Sequence, residues 1–301
     1  MNLSFAPPIR LHGAVAFSVP QSLRLHTPSA WANANAGGAQ LHSFLEGPVF
    51  DAAGNLYVTD IPHGRIFRIS PAGDWTCAVE YDGWPNGMAF APDGRMLICD
   101  YKLGLLSLNV DTGTVEPVLI GRYSESFKGI NDLCVSACGD VYFTDQGQTG
   151  MHDPSGRVFR LSVEGRLDCL LSNVPSPNGI VLTPDETALF VSATRANAVW
   201  RVPLMADGGV SKVGVFCSQF GPGGPDGMCM DEAHNLFVAH VGLGCVFVYS
   251  RLGELTHIIE STVGAQTTNV ALGAAAADGT RLLYITEAQS GSVLTVPWNR
   301  G

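Results

Sequence analysis

Apolar residues fall along this chain in short runs that alternate with polar ones or run unbroken for four to seven positions, as in LYVTD (56–60), RIFRIS (65–70), VYFTD (141–145) and CVFVYS (245–250). Asp, Gly, Asn and Pro punctuate them, and no stretch keeps a 3.6-residue period long enough to make a substantial helix. That is the pattern of short strands joined by tight turns. The runs also repeat. VFDAAGNLYVTD followed by RIFRIS (49–70) has counterparts at 89–110, 134–162, 181–203, 229–250 and, more diverged, 271–297, with start-to-start spacings of 40, 45, 47, 48 and 42 residues. Each unit reads as a first strand, a turn, an alternating second strand, a loop and a third strand. A weaker fourth strand follows at 77–81, 117–120, 167–171, 213–217 and 255–260. Four strands repeated six times predict an all-β six-bladed β-propeller with four-stranded antiparallel blades.

The sixth unit has three strands, and an open sheet edge there would be a liability. The segment around Ala14–Val19 is an orphan apolar run, so the reading has it pair with the last blade and close the ring. The expected division is an N-terminal arm, 1–42, including that strand, and a catalytic propeller, 43–301. Residues 1–13 and about 20–40 are expected as surface arm and connection, with 32–40 (ANANAGGAQ) as loop.

Composition narrows the function. The 35 glycines in 301 residues exceed the usual roughly 7 % and fit many turns. A net charge of −10 argues against nucleic acid and an anionic membrane surface as partners. The eight cysteines show no CxxC pair and no zinc spacing, which suits a reducing, cytoplasmic setting. No apolar run is long enough for a membrane helix, and the N-terminus lacks a clear signal-peptide cleavage site. A monomer or homodimer acting on a small molecule is expected.

One oxygen-bearing residue precedes the first strand of each unit: Glu46, Asn86, Asn131, Asn178, Asp226 and Asn269, four of them followed by Gly. In a propeller the first strand lines the central channel, so these six are expected to ring its mouth. Two carboxylates and four amides, with no sulfur or imidazole, suit a hard cation: Ca²⁺ first, with Mg²⁺, Mn²⁺ and Zn²⁺ behind. Second strands end at the same face with Asp60, Asp100, Asp145, Ala193, His240 and Glu287, and the loop 146–156 projects there.

The ordered set Glu46-Gly47-Pro48, Ile130-Asn131-Asp132, Tyr142-Phe143-Thr144-Asp145, Pro177-Asn178-Gly179 and Pro225-Asp226-Gly227 resembles the SMP-30/gluconolactonase family over about residues 43–298. The run 130–165 looks most like the bacterial Drp35-type lactonases. The resemblance implies a calcium-dependent lactonase with Glu46, Asn131, Asn178 and Asp226 as metal ligands. Departures are Gln146 where many relatives have Pro, an Ala-rich sixth unit, and a first 42 residues that match nothing in the pattern.

A cation at the channel mouth polarises an ester carbonyl and lowers the pKa of bound water, the two things lactone opening needs. Asp226 is the candidate base or nucleophile as well as a ligand, and His240 a candidate to orient it or carry a proton. Asn86, Asp132, Asp145, His152 and Asn269 are candidate substrate-binding groups, Asp132 also as an orienting neighbour of Asn131. The expected function is metal-dependent hydrolysis of a sugar lactone or related cyclic ester. The same site doing phosphotriester hydrolysis or isomerase/lyase chemistry is the alternative, and a non-catalytic binding propeller a second one.

Overall fold

Every repeat begins with a strand that is bulged near its start. The computed structural model describes residues 6–299. These innermost strands are Leu45–Phe50, Pro85–Phe90, Ile130–Val135, Pro177–Leu182, Gly224–Met230 and Thr267–Leu272. In each, the pairing with the second strand shifts register near its start. A bulge sets two residues of one strand against one of its partner and re-aims their side chains. The ring residues lie in those bulges.

Around the bulges, the strands form six blades, each a separate antiparallel sheet built outward from its bulged strand. Six apolar clusters wedge adjacent blades together. Tyr57 and Ile66 of blade one, for example, pack on Met88, Ile98 and Leu106 of blade two. The core is thus a ring of wedges, and the space at the centre is left to polar side chains. No helix among the described residues is long and apolar enough to cross a membrane.

Ring closure follows the sequence reading. Ala14–Ser18 pairs antiparallel with Ser292–Trp298 and supplies blade six with its fourth strand. The arm also does what its sequence did not announce. Ile9–His12 adds a parallel fifth strand to the outside of blade five, on Leu255–Glu260. Part of the expected loop 32–40 is helical: Ala30–Asn35 forms a short helix capped by the Ser29 hydroxyl. Six residues are too few to hold a helix by propensity alone. Trp31 and Ala32 anchor it by burial against Ile61, with Phe44 and Trp84 packed alongside.

The acids that end the second strands are clamps. Asp60 accepts the Phe44 N–H at 2.7 Å, Asp145 the Gly129 N–H at 2.9 Å, and Glu287 the Gln266 N–H at 2.9 Å. Each of these amides enters a bulged strand, where ladder pairing is interrupted and an unmet donor would be costly. Asp60 also pairs with Arg65 and Asp145 with Arg157, both at 2.6 Å. Asp100 collects Lys102 N–H, Leu103 N–H and the Tyr81 hydroxyl. Asp145, expected at the substrate, is therefore reassigned: its two oxygens are occupied by Gly129 and Arg157. Strand-end position fixes which end of the blade a residue occupies, and not which way its side chain turns.

Two outcomes test this arrangement. Deleting residues 1–18 bares the edges of blades five and six and should give an aggregating protein with a lowered melting temperature, read by size-exclusion and thermal unfolding; a monomer of unchanged stability would refute closure by the arm. Asp145→Ala leaves Arg157 without its carboxylate and should cost about 3–5 kcal/mol in urea unfolding, whereas a substrate contact would raise KM with stability unchanged.

Candidate metal centre

Two residues per bulge stand at the channel. At the first bulge position stand Glu46, Asn86, Asn131, Asn178 and Asp226. By register the sixth place belongs to Thr268: Leu45 pairs with Asp60 as Thr267 pairs with Glu287. The Thr268 hydroxyl donates to Leu45 O at 2.8 Å, which ties blade six to blade one. Asn269 is one residue further on, so its expected equivalence with the other five is corrected. An apolar run alone cannot reveal a one-residue offset within a bulge.

The second bulge position is Gly47, Gly87, Asp132, Gly179, Gly227 and Asn269. Sterics explain the four glycines. A Cβ on Gly87 would lie 2.7 Å from Asp132 Cα, and one on Gly227 would run into the Asn269 side chain. On Gly47 it would meet Asn86 O, and on Gly179 it would lie 2.8 Å from Gly227 Cα. Asp132 and Asn269 keep side chains because the blade before each has glycine. They sit on blades three and six, opposite in a six-fold ring, and the Asn269 amide helps to hold down the pKa of Asp132. The Asn269 amide also donates to Glu46 Oε2 at 3.1 Å. Together they span the channel.

The resulting cluster is buried: Glu46, Asp132 and Asp226 expose 4, 7 and 5 % of their surface. These acids come from blades one, three and five, with Asn86, Asn178 and Asn269 from the blades between. Burial raises Glu46 to about 8, against relief from the Gly47 N–H, with the Asp132 charge adding to the rise. Burial likewise raises Asp132 to about 7, opposed by the Leu133 and Ile180 N–H groups and Asn269. Asp226 is raised well above the carboxylate range, first by burial and then by the Glu46 and Asp132 charges; Arg195 and the Asn178 side chain pull the other way. Buried carboxylates that feel one another's charge resist ionising together without a counter-charge.

The donor set fits a divalent cation. Asp226 Oδ1 and Asn86 Oδ1 are buried without a partner among the described residues, and buried oxygens are costly to leave unmet. The donors are oxygens of mixed charge, as a hard cation prefers. No three His, Cys, Asp or Glu side chains converge as a metal cluster among the described residues, so any ion held here takes amide oxygens alongside acids.

Asn131 belongs to the same ring, with its amide fixed by Gln146 Oε1 at 3.0 Å; Gln146 in turn donates to Ser176 Oγ at 3.1 Å. Ring carbonyls are fixed from the previous blade: Thr59 donates to Asn86 O, Thr144 to Asn178 O and Ser192 to Asp226 O, at 3.1, 2.7 and 2.7 Å. His240 is not joined to Asp226. It is fully buried, with its ring edge-on to Phe247, and neither ring nitrogen has a partner among the described residues. Burial lowers its pKa. It holds the strand-end place that the clamping acids take in other blades, so its expected role in orienting Asp226 has no contact behind it.

Beside the ring lies a cavity of about 570 Å³, walled in part by Gln146, Gln148, His152, Ser176, Arg195 and Asn35. His152 is thus on the cavity wall and away from the ring. Arg195 and Asn35 escaped the sequence reading. Arg195 follows an Ala193 that broke the series of strand-end acids, and Asn35 is on a helix held in place by tertiary contacts alone.

A sequence model described as SMP-30/Gluconolactonase/LRE-like region matches residues 44–289. The lactonase drp35 of Staphylococcus aureus (strain MW2) is 30 % identical over 253 residues, covering 80 % of this chain and 76 % of its own. A calcium-binding regucalcin from Agrobacterium tumefaciens superposes with a TM-score of 0.75 at 24 % identity, covering 98 % of this chain and 97 % of its own. A gluconolactonase from Xanthomonas campestris gives 0.74 at 21 %, with 98 % of each chain covered. The last two speak for the shared propeller, whereas the matched span and the identity to drp35 decide the kinship: the chain belongs to the SMP-30/gluconolactonase family and is a lactonase-type protein.

Proposed function

We propose that this protein is a divalent-metal-dependent lactonase, with Ca²⁺ the ion its oxygen donors suit best, acting on a sugar lactone or related cyclic ester. One observation carries the reading: three buried carboxylates, Glu46, Asp132 and Asp226, share a desolvated channel mouth with orphaned oxygens on Asp226 and Asn86. A fold needs no such group, and a cation removes its cost. Glu46, Asn131, Asn178 and Asp226 would hold the ion, with Asn86 Oδ1 free to meet it or its water. When bound, the ion supplies Lewis-acid stabilisation of the oxyanion.

The chain's own residues do the rest. Asp226, ionised, takes a proton from a water at its unpartnered Oδ1. The water oxygen bonds to the lactone carbonyl carbon, the ring C–O bond breaks, and the departing alkoxide oxygen recovers a proton to give the hydroxy acid. The raised pKa of Asp226 brings its basicity closer to neutral pH than that of an ordinary carboxylate. Asn178 steadies Asp226 through its side chain, and Gln146 keeps Asn131 turned into the ring. The gluconolactonase and lactonase names of its relatives support the substrate class, and the calcium-binding regucalcin supports the ion. The eight cysteines are all free, as a reducing compartment such as the cytoplasm would keep them.

Chelator should abolish acid release from a lactone panel in a pH-indicator assay, and added Ca²⁺ should restore it. Asp226→Asn should fold normally yet lose about 10³-fold in kcat; parental turnover by this variant would remove Asp226 from the mechanism. The metal-free protein also has a defined pH dependence. Glu46 and Asp132, raised to about 8 and about 7, hold protons in the folded state that the unfolded chain releases near pH 4. Their stabilisation is complete below that pH and is lost as pH rises through 7 and 8. Melting temperature under chelator should therefore fall from pH 5 to pH 9, and the increment from Ca²⁺ should be larger at pH 8 than at pH 6. An increment that shrinks with rising pH would contradict a cation bound by these acids.

A further inference from the structure

The cavity beside the ring is electrostatically the reverse of the ring itself. Among 27 Asp and Glu residues in a chain of net charge −10, none lines it. Its polar wall is made of amides, hydroxyls, one imidazole and one guanidinium. Arg195 is positioned in the 3₁₀ turn Thr194–Ala196, after the second strand of blade four. It enters no salt bridge among the described residues. The one hydrogen bond of its guanidinium there is a long contact of 3.5 Å to Gly223 O. Arg65 and Arg157, by contrast, are neutralised by buried carboxylates. The Arg195 charge therefore remains available to a ligand, close enough to the centre to be felt by Asp226. His152 is beside it: a Cβ on Gly150 would lie 3.3 Å from the His152 ring and 3.6 Å from the Arg195 stem.

Cavity and ring are linked through shared residues. Gln146 lines the cavity and bonds Asn131, and Ser176, also in the wall, immediately precedes the strand that carries Asn178. A molecule with its ester carbonyl at Asp226 would have this wall beside its far end. The floor of the site is built from acids that demand a cation, whereas the wall offers a fork of N–H donors suited to a carboxylate or phosphate. Asn35 contributes to the same wall from a helix outside the span matched by the family, 44–289. Gln148 holds it there, donating to Asn35 Oδ1 at 3.0 Å and to the Tyr101 hydroxyl at 2.8 Å.

We infer that the substrate is an anionic lactone, carrying a carboxylate or phosphate at the end away from the reacting ester, and that Arg195 is the residue that selects it. This rests on the lactonase reading of the central ring. His152 and the Gln148 amide complete the polar wall around the anion. A neutral sugar lactone fills the same space without satisfying the guanidinium.

Calorimetric titration of the Ca²⁺-loaded protein with three ring-opened acids tests it: a six-carbon hydroxy monoacid, the matching hydroxy diacid, and the monoacid phosphorylated at its far end. All three offer one carboxylate to the central site, and only the last two offer a second anion to Arg195. At least one of these two should bind ten-fold or more tighter than the monoacid, and which one does identifies the group. Arg195→Met should bring the three affinities together, and Arg195→Lys should restore part of the difference. Equal affinities in the parent protein, or a preference that survives Arg195→Met, would overturn the assignment. Failure of every lactone to be hydrolysed alongside an intact Arg195-dependent preference would sink the lactonase reading and leave the anion site standing.

Discussion

Like charge forced into a dry place is the constraint around which this molecule is arranged. Glu46, Asp132 and Asp226 are almost wholly buried at one end of a channel whose own walls hold no counter-ion. Coulomb repulsion at low dielectric is strong, and the protein does not relieve it with a lysine or arginine in the ring. Partial relief comes from the Arg195 charge beyond the ring, from backbone amides at Gly47, Leu133 and Ile180, and from Asn269 and Asn178. These dipoles are too weak to bring the acids back to their ordinary range, and the remaining imbalance is what a divalent cation would remove. The propeller makes the arrangement tolerable because its stability resides elsewhere, in six apolar wedges between blades.

Convergence depends on backbone geometry before it depends on side chains. The same bulge in six inner strands turns two successive residues toward the channel, and six chains cannot all carry a side chain at the second of these positions. Four are glycine, and the two that are not, Asp132 and Asn269, stand opposite each other, each in space left by a preceding glycine. A substitution of Gly87 or Gly227 thus acts on the centre through a neighbouring blade. Blade-to-blade hydroxyl contacts from Thr59, Thr144 and Ser192 serve the same end, fixing the carbonyls of the ring residues.

Much of this was legible in the chain because it is written locally and six times over. Strand runs, turn residues and period suffice for the blades, and the missing strand of unit six pointed to Ala14–Ser18. What was not legible depends on direction or on distant packing. Asp145 and Asp226 are both acids near the channel end of a strand, yet one is bonded to Arg157 and the other faces the ring with an unmet oxygen. Asn269 was displaced by one position because an Ala-rich strand gives little register information. The helix at Ala30–Asn35 exists because Trp31 finds a place against Ile61, a contact no short-range pattern encodes.

Gln146 shows how the two levels meet. Its side-chain amide links Asn131 to Ser176, and so ties a residue of the ring to the wall of the cavity. The centre of the site is thus a property of the family's repeated strands, while its walls come from a loop, a rim arginine and an N-terminal helix that the matched span does not include. Chemistry and choice of substrate rest on separate parts of the sequence, which is why kinship fixes the reaction class of this protein and the particular residues around Arg195 must decide what it acts on.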